Sequence, residues 1–177
     1  MIRNFQKPGR SLVLSNNGMV ASSHSLSSSI GVEILKKGGN AVDAAMAMAF
    51  VLPLCEPQST GYFGDLFCII SQPNDDKFIG LNGSGKSPNE ANSEILKSNG
   101  FKKIPETNIS SITLPGAMKA FESLHNNFCK LDLYEICKPA ITYAEQGVPV
   151  SPRVAFDWNY SIGNLKGVAK EFYTKNG

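Results

Sequence analysis

The chain has 177 residues, 42% of them hydrophobic and 18% charged, with a formal net charge of +2. That is enough chain for one domain with a sizeable core, and the composition excludes a disordered, collagenous or disulfide-stapled protein. The small net charge and the scattered basic residues, adjacent only at short pairs such as Lys36-Lys37 and Lys102-Lys103, leave no nucleic-acid footprint.

Met1 to Arg10 is a polar arm without an apolar h-region, so no secretory signal is expected and the expected compartment is the cytoplasm. Gly18 to Ala21 is a short apolar run that predicts a strand, stopped by the polar turn Ser22-Ser23-His24. A helix should begin near Ser25 to Ser27, bury Leu26, Ile30, Ile34 and Leu35, and end at Gly38 after two lysines. His24, beside serines and with no acidic partner placed by sequence, reads as a turn or cap residue. Asn40 is a good N-cap for a second helix from Ala41 to about Leu52, with Asp43 at its positive end. That helix is nearly all apolar and therefore buried. At about a dozen residues it is too short for the ~20 that a membrane span needs.

Glu56-Pro57 closes the helix, and Gly61 and Gly64 supply a turn into Leu66–Ile70, whose continuous apolar run predicts a strand buried on both faces. The Gly61 to Gly64 turn lacks the glycine-lysine pattern of a P-loop. Pro73 to Asp76 is a hairpin turn by composition, and Phe78–Leu81 returns as the partner strand. Asn89–Ser98 predicts a short helix stopped at Asn99-Gly100. Thr113 to Gly116 opens another, with Pro115 in its first turn and Ala117, Ala120, Phe121 and Leu124 as its buried stripe. Leu133–Gln146 is a further helix with a kink or break expected at Pro139, and 151–177 reads as helical segments around Trp158. The four cysteines, Cys55, Cys68, Cys129 and Cys137, fit no zinc spacing and are expected to be reduced and mostly buried.

Several of these stretches carry a resemblance. Gly18-Met19-Val20-Ala21 with His24, Gly38-Gly39-Asn40-Ala41-Val42-Asp43-Ala44-Ala45, and Glu56-Pro57 with Ser59, Gly61, Gly64 and Asp65 resemble the start of the gamma-glutamyltranspeptidase family. The likeness continues through Thr113-Leu114-Pro115-Gly116-Ala117, Pro139-Ala140-Ile141 and Ala144 to Val150, in the family's order. It implies an α/β (α+β) fold of the N-terminal nucleophile hydrolase type, an αββα sandwich, of which 1–177 would be a partial domain from the large subunit. It implies no metal and no organic cofactor. The family's nucleophile is a threonine freed by autocleavage, whose own α-amine can serve as base. Its motif, Thr followed closely by His and an acidic residue, has no counterpart here, so no catalytic residue is assigned. The implied partners are a small amide or gamma-glutamyl substrate and the rest of the enzyme, including the threonine-bearing small subunit, with no nucleic acid and no membrane. The alternative is a truncated or split-gene remnant, inactive without a downstream polypeptide.

The resemblance also points to a substrate turn. Glutathione-acting members place an arginine in a pattern like Asp-x-Arg-Glu-x-Ala-Pro, and the matching turn here is Asn82-Gly83-Ser84-Gly85-Lys86-Ser87-Pro88. Ser84 stands at the arginine position and cannot form the bidentate pair an arginine gives a carboxylate. The turn is more similar to the Ser-Gly-Arg-Ala-Pro form of the oxamate-hydrolase and acylase-like branch, with Lys86 in place of that arginine. Ser84 and Lys86 are therefore the candidate substrate-binding residues, their alternative being a plain surface turn.

Overall fold

A computed structural model describes residues 12–73, 76–105 and 108–174. The chain divides into two compact units, Met1–Thr60 with Leu131–Gly177, and Gly61–Lys130.

The first unit is helical. α1 (Ser25–Lys36) starts at His24, whose Nδ1 accepts the Leu26 N–H at 3.2 Å. Histidine 24 is thus the cap, and Ser25 is the first helical residue. Gly38, at φ 92°, ends the helix in a Schellman arrangement: the Gly39 and Gly38 N–H groups donate to the Ile34 and Leu35 carbonyls. α2 (Ala41–Cys55) opens with a capping box, Asn40 Oδ1 accepting the Asp43 N–H at 3.0 Å and the Asp43 carboxylate accepting the Asn40 N–H at 2.6 Å. The same carboxylate, with no exposed surface, accepts the Leu131 N–H at 3.1 Å. One side chain therefore starts a helix and anchors a segment 88 residues away.

α1 and α2 approach closely because small residues face each other. Ser27 donates its hydroxyl to the Met48 carbonyl, and Gly31 lies against the Met48 side chain. α2 continues three residues past the expected end at Leu52 and carries Pro53 inside it. It packs on α1 and on α5 (Leu133–Gln146), and burial of Met46, Ala47, Val51 and Cys55 outweighs the lost N–H of the proline. α5 spans Leu133–Gln146 as expected, with Pro139 inside it and Gly147 at its end; of the kink or break expected at Pro139, the break is absent. α6 (Pro152–Ser161), capped by Ser151, and α7 (Gly167–Tyr173) follow, with Trp158 and Tyr173 rings 5.8 Å apart. Residues 18–21 are not a strand. An apolar run becomes a strand only where another backbone pairs with it, and none of the described residues does so.

The second unit is built on an antiparallel hairpin of β1 (Leu66–Ser71) and β2 (Phe78–Gly83), in register from Leu66 opposite Gly83 to Ser71 opposite Phe78. Of the expected hairpin turn, 74 and 75 lie outside the described residues. β1 is not buried on both faces. Cys68 and Ile70 alternate with Phe67 and Ile69, which are 69% and 78% exposed. The alternation has a simple cause: α4 (Ala117–Phe128) contacts β2, and one helix covers one face of a two-stranded ribbon. α3 (Ser93–Ser98) starts at Asn92, later than expected, and stops at Asn99-Gly100 as expected. α4 begins after Gly116, so Pro115 precedes the helix rather than lying in its first turn. Its stripe of Ala117, Ala120, Phe121 and Leu124 is buried as the periodicity required.

Candidate functional site: the turn from Asn82 to Lys86

β2 leaves the ladder at Gly83, and the next residues are held without further strand pairing. The Ser84 N–H donates to Asn82 Oδ1 at 3.0 Å, an Asx turn. The Gly85 N–H donates to Asp65 Oδ1 at 2.8 Å. The Lys86 carbonyl accepts the Leu114 N–H at 2.9 Å, and the Gly64 carbonyl accepts the Ala117 N–H at 2.9 Å. The turn is thereby tied on one side to the residue before β1 and on the other to the segment entering α4.

Glycine makes this approach possible. A Cβ on Gly85 would lie 1.8 Å from the Leu114 carbonyl oxygen, and one on Gly116 would lie 2.3 Å from the Gly83 oxygen and 2.6 Å from the Gly85 nitrogen. A Cβ on Gly83 would meet Ala120 Cβ at 2.5 Å. The two backbones are in contact here, with the Thr113 side chain packed against Gly85 and Ala120 against Gly83.

A cavity of about 440 Å³ opens beside this junction, with Ser84 and Lys86 on one side and Lys119, Ala120 and Ser123 of α4 on the other. Ser84 and Lys86 are exposed and flank the half-buried Gly85, as alternate positions of an extended segment do. The structure thus brings the two candidate residues to one cavity. Neither the Ser84 hydroxyl nor the Lys86 ammonium has a partner among the described residues, whereas Lys119 pairs with Glu122 one turn along α4. With the Ser84 and Gly85 N–H groups already engaged, the turn offers a ligand one neutral hydroxyl donor and one free cation. Lys119 and Ser123 at this cavity, and Asp65 as the acceptor behind its turn, were not foreseen. Asp65 entered the sequence reading among the residues that carry the family resemblance, and its link to Gly85 spans 20 residues.

The remaining polar residues fall elsewhere. His24 is a buried cap whose Nε2 has no partner among the described residues. Ser23 donates its hydroxyl to the buried Glu56 carboxylate, joining the chain before α1 to the end of α2. None of the four cysteines is in a disulfide; Cys55 is buried, and Cys68, Cys129 and Cys137 are half-buried. Burial, and secondarily the Glu56 carboxylate, pushes the Cys55 thiol up; burial alone does the same for Cys68 and Cys137. The first unit holds a larger cavity of about 510 Å³, lined by apolar groups such as Val154, Trp158 and Ile162. It gathers no constellation of nucleophile, acid and base. Among the described residues no group of three His, Cys, Asp or Glu side chains could hold a metal, and no helix is long and apolar enough to cross a membrane.

Comparison with known proteins agrees with this architecture. The gamma-glutamyltranspeptidase family model matches residues 27–177. The glutathione hydrolase-like YwrD proenzyme of Bacillus subtilis is 36% identical over 163 residues, which is 92% of this chain and 30% of that protein. The solved cephalosporin acylase from Bacillus halodurans shares 36% identity at a TM-score of 0.83, over 98% of this chain and 32% of its own. Helicobacter pylori gamma-glutamyltranspeptidase shares 26% identity at a TM-score of 0.84, over 94% of this chain and 49% of its own. The chain therefore spans a third or less of the YwrD proenzyme and the acylase, and about half of the Helicobacter chain. It belongs to the gamma-glutamyltranspeptidase family and carries the N-terminal portion of that family's N-terminal nucleophile hydrolase fold.

Proposed function

We propose that this chain is the acyl-donor-binding portion of an amidohydrolase or acyltransferase, completed by a polypeptide that carries an N-terminal threonine. In that enzyme the threonine hydroxyl oxygen attacks the amide carbonyl while its own α-amine takes the hydroxyl proton. The amine leaving group receives a proton and departs, and the acyl ester passes its acyl group to water or to another amine. The chemistry needs no metal or organic cofactor. The part assigned to this chain is to hold the acyl group.

One observation carries the reading: the Ser84 hydroxyl and the Lys86 ammonium stand unpartnered on one side of a 440 Å³ cavity, on a turn fixed by its backbone. A lone cation beside a neutral donor suits a small acyl group with one anionic or strongly accepting end. It does not supply the planar fork that a guanidinium gives a carboxylate. A small amide such as oxamate is therefore favoured over a gamma-glutamyl donor.

The test is to produce the chain together with the threonine-bearing polypeptide and to assay gamma-glutamyl-nitroanilide and oxamate. Lys86→Gln should raise KM for the anionic donor by about 10-fold or more, the usual weight of a charge-assisted hydrogen bond, with kcat little changed. Unaltered KM in both Lys86→Gln and Ser84→Ala would refute the assignment. Absence of turnover on either amide, with the threonine-bearing polypeptide present, would overturn the proposal.

A further inference from the structure

We infer that Asp65 is the positioning residue of this turn, its carboxylate setting the conformation in which Ser84 and Lys86 are presented; the consequence for substrate rests on the function proposed above. The hairpin ladder ends at the pair Leu66 and Gly83. Extending it by backbone would place Asp65 opposite Ser84, but the chain turns there and Ser84 donates to Asn82 instead. The Asp65 side chain takes over, reaching past the end of the ladder to accept the Gly85 N–H at 2.8 Å.

The other constraints make that bond the decisive one. On the α4 side the turn is fixed by the Lys86 carbonyl and by the contact of Gly85 and Gly83 with residues 114 to 116. The Thr113 side chain also lies against Gly85, yet the Gly85 N–H donates to Asp65 Oδ1. Asp65 itself forms no ion pair among the described residues, and it is exposed, so neither charge pairing nor packing accounts for a carboxylate there. A carboxylate accepting a backbone N–H is a charge-assisted bond, stronger than the neutral bond an asparagine would give. It acts on the one amide that lies between the two candidate substrate-binding residues.

Amide hydrogen exchange on this chain, wild type against Asp65→Ala and Asp65→Asn, tests the inference without requiring turnover. Gly85 exchange should accelerate by about 10-fold or more in Asp65→Ala and by clearly less in Asp65→Asn, which keeps an acceptor oxygen. The amides of Phe121 and Leu124 in α4 report whether the unit remains folded, and they should be unchanged. Unaltered Gly85 exchange in Asp65→Ala, or equal acceleration in both variants, overturns the inference. If Asp65→Ala loses the α4 protection as well, Asp65→Asn decides alone: wild-type Gly85 exchange with α4 intact overturns it, and modest acceleration confined to the turn upholds it. In the assembled enzyme, Asp65→Ala should raise KM for the acyl donor with kcat little changed, and Asp65→Asn should recover part of it. Accelerated exchange at Gly85 together with unaltered KM in the Ser84 and Lys86 variants would leave the tether standing and remove the substrate assignment, so the two failures are separable.

Discussion

Gly116→Ala is the sharpest test of how the cavity is built, because local and tertiary effects have opposite signs. Gly116 has φ −88° and ψ −30°, a conformation alanine adopts freely. On local grounds the substitution should stabilise by about 0.4–1 kcal/mol through the unfolded chain. Against that, the new methyl would lie 2.3 Å from the Gly83 oxygen, 2.6 Å from the Gly85 nitrogen and 2.7 Å from the Ser84 carbonyl carbon. These are backbone atoms of a turn already bonded to Asp65 and to Leu114, so they cannot swing aside as a side-chain terminus would. Overpacking of this kind costs about 1–3 kcal/mol. The net expectation is a destabilisation on the order of 1–2 kcal/mol, read from the urea midpoint at constant m. Gly80→Ala is the matched control: nothing lies within 4 Å of its Cβ position in the middle of β2, and the exchange should be neutral or stabilising by up to about 1 kcal/mol. A Gly116→Ala protein as stable as wild type, with Gly80→Ala behaving as stated, would refute the close contact between the turn and the α4 segment.

Asp43→Ala orphans the N–H groups of Asn40 and Leu131 at once and should cost about 2–5 kcal/mol in urea unfolding, with Asp43→Asn losing roughly half as much because one oxygen remains. Cys55 should alkylate far more slowly than a free thiol at pH 8 and recover normal reactivity in urea, since burial holds it protonated. The same raised thiols stabilise the fold fully below the unfolded value of 9.0, and that contribution is lost as pH rises through their higher folded values, so the urea midpoint should fall at alkaline pH. Ser84→Arg, at an exposed side chain without partners, should change stability by no more than about 0.5 kcal/mol. In the assembled enzyme it should raise the kcat/KM ratio of gamma-glutamyl-nitroanilide to oxamate, by restoring a bidentate carboxylate partner.

The features legible in the sequence are those that depend on a few neighbouring residues. Asn40 with Asp43, Gly38 after two lysines, and the i, i+3, i+4 stripe of α4 each specify a local structure whatever surrounds it. The misreadings share the opposite property. An apolar run at Gly18 to Ala21 becomes a strand only if a second backbone lies beside it, and β1 is buried on both faces only if two layers cover it. Pro53 stays inside α2 because tertiary burial outweighs a missing N–H, and no sequence window contains that balance. The second role of Asp43, as acceptor for Leu131, and the bond from Asp65 to Gly85 join residues 88 and 20 positions apart. Sequence reading offered Ser84 and Lys86 as candidates through their motif, but not the atoms that hold the turn.

Those atoms are nearly all backbone, and this bears on how one fold can serve different acyl groups. Gly83, Gly85 and Gly116 bring two main chains into contact, and the fixing bonds run through N–H and carbonyl groups together with Asn82 and Asp65. The side chains at 84 and 86 take no part in that framework. Both are exposed, and neither makes a side-chain hydrogen bond or ion pair among the described residues. Relatives named as a glutathione hydrolase-like proenzyme and as a cephalosporin acylase share this portion of chain at the same 36% identity. Under the function proposed above, a turn fixed by glycines, Asn82 and Asp65 leaves positions 84 and 86 free to vary with the acyl group. On the same proposed function, residues 84 and 86 would tune the acyl group accepted, while the glycines and Asp65 would fix the turn that presents them.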